Sequence, residues 1–97
     1  MDKIFDVRDK NGRLIYLSFW RWKDNILAEH PYLSNSLEDI KETLIKPTAI
    51  LLSKYDLNVR YYYRWMKERK EYLMVAVKYL NSVGFVITCC YRKNMKK

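Results

Sequence analysis

Glycine, proline and cysteine are scarce in this chain of 97 residues, two of each, and there is one histidine. So little Gly and Pro excludes collagen-like and low-complexity segments, and no linker or internal repeat interrupts the chain. The two cysteines, Cys89 and Cys90, are neighbours. A bridge between adjacent residues would be strained, so they read as structural thiols rather than a disulfide framework. No Cys/His spacing resembles a zinc site, and neither metal nor cofactor is expected. No apolar run reaches membrane-spanning length and the start does not read as a signal peptide, so a cytoplasmic location without a membrane partner is expected.

About half of the residues are hydrophobic and 15% are aromatic, enough for one small packed domain over residues 1–97. Net charge is +8 and unevenly placed. Residues 1–48 balance eight basic against eight acidic side chains, whereas residues 49–97 hold eleven basic and three acidic ones. An excess confined to one half points to a polyanionic partner, RNA or DNA before a membrane surface. Lys93, Lys96 and Lys97 read as a solvated basic tail over residues 93–97.

Ile4 to Val7 and Leu14 to Leu17 flank Asp9-Lys10-Asn11-Gly12, and Asn-Gly between apolar runs signals a hairpin. This hairpin, residues 1–17, reads as an N-terminal addition to the main sheet. Phe19 to His30 reads as a helix capped by Ser18 and stopped by Pro31, with Phe19, Trp22, Ile26 and Leu27 on one face. Asn35 or Ser36 can cap a second helix, closing a capping box with Glu38 or Asp39. Pro47 ends it, so the two helices occupy residues 18–47.

From Ala49 the hydrophobic period changes to two. Strands are expected at Ala49 to Tyr55, Leu57 to Met66, Tyr72 to Leu80 and Phe85 to Arg92, with short, antiparallel connections. Leu57 to Trp65 is the most telling stretch, since one side shows Leu57, Val59, Tyr61, Tyr63 and Trp65, and the other Asn58, Arg60, Tyr62 and Arg64. Continued through residues 48–92, odd positions carry the apolar row (Val59, Tyr61, Tyr63, Leu73, Val75, Val77, Phe85, Ile87). That row should pack on the helices. Lys54, Arg60, Tyr62, Arg64, Lys78, Thr88 and Arg92 would then share one open face. The expected architecture is α+β: an N-terminal hairpin, then two helices packed on one face of a four-stranded antiparallel sheet.

This layout resembles the phage-type nuclease family of the barnase–EndoU–colicin–RelE (BECR) superfamily. The resemblance covers about residues 13–91. It is carried by Ile26-Leu27-Ala28-Glu29-His30-Pro31, Leu37 to Thr43, Ser53-Lys54-Tyr55-Asp56, Val59-Arg60-Tyr61-Tyr62-Tyr63, Val75 to Leu80 and Phe85-Val86-Ile87-Thr88. It implies a RelE-like fold and metal-independent RNase activity, with His30, Arg60, Lys78 and Thr88 at positions that match the family's site. A second His that relatives carry near Asn25 is missing here. The resemblance also implies a toxin or effector kept silent by an inhibitory partner protein of antitoxin or immunity type.

Metal-free RNA cleavage needs a base for the ribose 2′-OH and cations on the crowded phosphate, roles that suit His30 with Arg60 and Lys78. Thr88 could hydrogen-bond a phosphate oxygen, Tyr62 could stack a base, and Lys54, Arg64 and Arg92 could guide the RNA backbone. His30 could equally be a helix-end cation, and Thr88 an ordinary cross-strand residue. Trp20, Trp22 and Trp65 read as core or subunit contacts. Two other functions stay open: a non-catalytic RNA-binding module using a basic, aromatic sheet face, and a protein-interaction surface of Tyr, Arg and Trp. The nuclease site makes a sharp demand on the fold: a register that turned Arg60 and Lys78 to opposite faces would remove it.

Overall fold

The computed structural model describes residues 3–95; Lys96 and Lys97 of the expected basic tail lie outside them. Strands β1 (Lys3–Arg8) and β2 (Leu14–Ser18) form the expected hairpin, closed by Gly12 at φ +83°. Such an angle is natural for glycine, which has no Cβ to clash. A π-helical turn (Arg21–Ile26) then runs into α1 (Leu27–Glu29). The Ser18 hydroxyl accepts the Arg21 amide at 3.1 Å, as an N-cap does. A 3₁₀ turn at Pro31–Leu33 leads to α2 (Leu37–Ile45). Here the capping box does not form: the Ser36 hydroxyl lies 3.3 Å from the Tyr91 hydroxyl instead.

Four strands follow, β3 (Ala49–Leu52), β4 (Val59–Met66), β5 (Glu71–Leu80) and β6 (Val83–Arg92). β3 is shorter than expected because the Ser53 hydroxyl accepts the amides of Tyr55 and Asp56 and turns the chain. Asp56 does the same for Asn58.

The expected four-stranded antiparallel sheet is corrected by the topology. The sheet has six strands in the order β1-β2-β6-β5-β4-β3, and it is mixed. β2 joins β6 in parallel through Leu14↔Val83, Ile15↔Gly84 and Tyr16↔Phe85, so the hairpin is built into the sheet. The sequence could not announce this pairing, because β2 and β6 lie far apart in the chain and meet only when the helices have crossed over.

Register brings a second correction. β4 and β5 are joined by four residues, closed by the Lys70 amide on the Met66 carbonyl at 2.8 Å with Lys70 at φ +55°. Met66 therefore faces Glu71, Tyr62 faces Val75, and Arg60 faces Val77. Paired residues share a face, so an even loop length pairs odd with even positions, and the apolar parity flips across the turn. A bulge in β6 opposite Ala76/Val77 flips it again.

The main core consequently holds the even row of β4 and the odd row of β5. Tyr62, Leu73, Val75, Val77, Tyr79, Val86 and Cys89 pack with Trp22 and Ile26 of the π-turn, Leu33, and Ile40 and Leu44 of α2. Tyr61 and Tyr63, expected against the helices, lie on the other face beside Met74, Ala76, Leu51 and Ile87. Of the tryptophans only Trp22 is core; Trp20 and Trp65 are exposed. Burial pushes the Cys89 thiol far up and the Cys90 thiol in the same direction, and the two are not bridged.

A polar chain ties the hairpin turn to this core. Asp9 Oδ1 accepts the amides of Asn11 and Arg13, each at 2.9 Å, and Oδ2 accepts Arg13 Nε at 3.2 Å and the Tyr79 hydroxyl at 2.9 Å. Tyr79 has spent its one proton on Asp9, so the Tyr62 hydroxyl, 2.6 Å away, donates to Tyr79. The Arg13 guanidinium stacks 3.9 Å from the Tyr79 ring centre. Burial pushes the Asp9 carboxyl up, but the two amides, the Tyr79 hydroxyl and the Arg13 charge outweigh it and hold it below the usual aspartate value. Burial, with the hydrogen bonds to the Tyr62 hydroxyl and the Asp9 carboxylate, drives Tyr79 far up.

Two outcomes are expected. A Cβ at Gly84 would stand 2.9 Å from Tyr79 Cε1, 3.0 Å from Val77 Cγ1 and 3.1 Å from Ile15 Cγ1. Gly84→Ala should therefore cost about 1–3 kcal/mol by overpacking, read as a lower urea midpoint. Because the Asp9 pKa falls on folding, its contribution is complete above the unfolded value of about 3.9 and is lost as pH drops through the folded value. Asp9→Asn should destabilise by about 1–3 kcal/mol at neutral pH and flatten the acid limb of a melting-temperature profile. An unchanged acid limb would show that Asp9 does not carry it.

Candidate active site

The eight residues singled out from the sequence go to four places. Arg60 lies on the helix-facing side of β4, opposite Val77, while Lys78 pairs with Val59 on the other side. Lys78 Nζ is held 3.0 Å from the Asp56 carboxylate, and Arg60 Nη1 donates to the Leu57 carbonyl at 2.6 Å. Thr88 pairs with Ala76 on the helix-free side. Tyr62 is 3% exposed, too deep to stack a base. Arg64 faces Leu73, and Lys54 sits exposed in the β3–β4 turn, off the sheet. The open basic face expected from the sequence is not assembled. The four-residue β4–β5 turn is the reason.

Two of the eight, His30 and Arg92, do share a cleft. It has a volume of about 420 Å³ and is bounded by His30, Tyr32, Tyr91, Arg92, Lys93 and Asn94. His30 ends α1, its amide on the Ile26 carbonyl at 2.7 Å, where Pro31 prevents the helix from continuing. The chain turns there at once, so the imidazole and the Tyr32 ring meet edge to face, 5.6 Å between centres, with Tyr32 Oη 2.9 Å from His30 Nδ1. That contact occupies one ring nitrogen and leaves Nε2 without a protein partner among the described residues. With Nδ1–H donating to Tyr32, Nε2 is a base; with Tyr32 donating to Nδ1, Nε2–H is a donor. Burial and the neighbouring Cys90 push the Tyr32 hydroxyl up, so the phenol keeps its proton.

Three cations stand around this cleft. Arg92 and Lys93 line it, and Arg69 stacks on the Tyr91 ring at 3.7 Å from its centre while pairing with Glu71 at 3.4 Å. Tyr91 in turn lies 5.9 Å from Tyr32, ring to ring. Tyr32, Arg69 and Lys93 escaped the sequence reading. Tyr32 could have been found two residues past His30 in His30-Pro31-Tyr32. Arg69 lay in a connecting turn and Lys93 in what read as tail, and only the end of β6 folding beside α1 brings them in. Among the described residues no three His, Cys, Asp or Glu side chains gather as metal ligands, and no helix is long and apolar enough to cross a membrane.

A smaller cleft of about 120 Å³ lies at the hairpin turn, bounded by Asp9, Lys10, Arg13, Arg60 and Tyr62. No family model, curated protein or solved structure matches this chain.

Proposed function

We propose that this chain is a metal-independent endoribonuclease acting in the cytoplasm as a toxin or effector, with its site in the His30 cleft. The observation that carries the proposal is the chain's one imidazole, set on Tyr32 through Nδ1, in a cleft lined by Arg92 and Lys93. The resemblance of His30-Pro31 to the helix end of phage-type BECR nucleases supports the same residue. Arg60, Lys78 and Thr88 take no part, since they lie outside this cleft.

In this proposal His30 Nε2 takes the proton of a ribose 2′-OH, and the 2′-oxygen bonds to the adjacent phosphorus as the bond to the 5′-oxygen breaks. The leaving oxygen takes a proton from the imidazolium, which restores the neutral ring. The products are a 2′,3′-cyclic phosphate and a 5′-hydroxyl. Arg92 and Lys93 offset the charge that accumulates on the phosphorane, and such preplaced charge is the largest contribution in comparable sites. Tyr32 holds the orientation of the ring and, in this proposal, accepts Nδ1–H so that Nε2 is the base. DNA, lacking the 2′-OH, would bind and remain whole. An inhibitory partner protein belongs to the toxin proposal.

A second reading, RNA binding without cutting, is favoured by the absence of a second histidine to divide acid and base duties. One assay separates the two. Single-stranded RNA incubated in EDTA should yield ends carrying a 2′,3′-cyclic phosphate. His30→Ala should lower the rate at least about 100-fold with binding largely retained, and Tyr32→Phe should lower it less. Retention of RNA on the protein with no cleavage, equal for wild type and His30→Ala, rejects catalysis and leaves the binding module.

A further inference from the structure

We propose that the smaller cleft at the hairpin turn is an anion site that takes a phosphate group, separate from the His30 cleft and independent of whether the chain cuts RNA. Its walls come from three parts of the chain: Asp9, Lys10, Asn11 and Arg13 of the β1–β2 turn, Ile50 of β3, and Arg60 and Tyr62 of β4. Three cations meet one carboxylate there, leaving a local excess of positive charge. Both oxygens of that carboxylate already accept two hydrogen bonds each, from the turn amides, Arg13 Nε and the Tyr79 hydroxyl.

Each cation keeps N–H groups beyond those its protein partners accept. Arg13 uses Nε on Asp9, and its ring contact with Tyr79 fixes the guanidinium plane. Arg60 uses Nη1 on the carbonyls of Leu57 and Val59. The remaining guanidinium N–H groups of both, and the Lys10 ammonium, have no protein partner among the described residues. Guanidinium groups fixed in this way offer the paired N–H geometry that phosphate oxygens accept. A cleft of about 120 Å³ lined by three cations suits a single phosphate group, recognised by its charge and shape. The Asp9–Tyr79–Tyr62 chain holds the floor of the site in place, which spares the ligand the cost of ordering it.

Backbone and arginine-side-chain NMR spectra of the whole chain, titrated with two probes, test this. One probe is inorganic phosphate. The other is a short 2′-O-methyl oligonucleotide with hydroxyl ends, which carries only internal phosphates and cannot be cleaved by 2′-OH attack. Shifts of Asn11, Ile50 and the Arg60 Nε–H signal are expected, with Arg60→Gln weakening binding at least tenfold and Lys10→Gln by a smaller factor. Saturation by phosphate alone assigns the cleft to a free or terminal phosphate; saturation by the oligonucleotide, reversed by phosphate, assigns it to a backbone phosphate. Lys10 is exposed on the turn, so Lys10→Gln keeps the test open if Arg60→Gln does not fold. Shifts confined to His30 and Tyr32, or an affinity unchanged in both variants, overturn the proposal.

Discussion

The four-residue turn between β4 and β5 decides more about this protein than any single contact in its core. With Met66 opposite Glu71, every position on β4 faces a β5 residue of the other parity. The even row of β4 is drawn against the helices with the odd row of β5. Arg60 and Lys78, both plausible phosphate clamps from their strand positions, end on opposite sides of one sheet. A turn one residue shorter or longer would have kept them together.

The flip has a second consequence, since it carries a tyrosine into the core and sets Arg60 beside the hairpin. Tyr62 could not be buried alone, for an unpartnered hydroxyl in an apolar interior costs a few kcal/mol. Tyr79 on the neighbouring strand accepts its proton and passes the demand to Asp9, which the turn amides and Arg13 keep ionised. The polar chain thus joins the two halves of the molecule that the charge distribution separates, the neutral N-terminal half and the basic C-terminal half. β2 docks on β6 beside this chain: Ile15 pairs with Gly84, and Gly84 lies against the Tyr79 ring.

Local signals were legible in the sequence wherever a short-range rule decided them. Asn11-Gly12 placed the hairpin, Ser18 and Pro31 bounded the first helical segment, and the period of two located β4, β5 and β6 to within a few residues. The helix-end position of His30 followed from Pro31 for the same reason. Ser36 shows the limit of such rules, because its hydroxyl turned to Tyr91, 55 residues away, in preference to its own helix. The membership of the His30 cleft was half legible: His30 and Arg92 were named, whereas Tyr32, Arg69 and Lys93 were not.

By itself the sequence determined that this chain has a hairpin, a helical middle and a run of strands. It also determined that its excess positive charge lies in the second half, with one imidazole at a helix end. Those properties depend on neighbours a few residues apart and on composition. Which strands pair, which face each cation occupies and which side chains surround His30 were decided only in the folded molecule. Strand parity is inverted by a single residue of turn or bulge, and the parallel β2–β6 pairing joins segments that no local pattern connects.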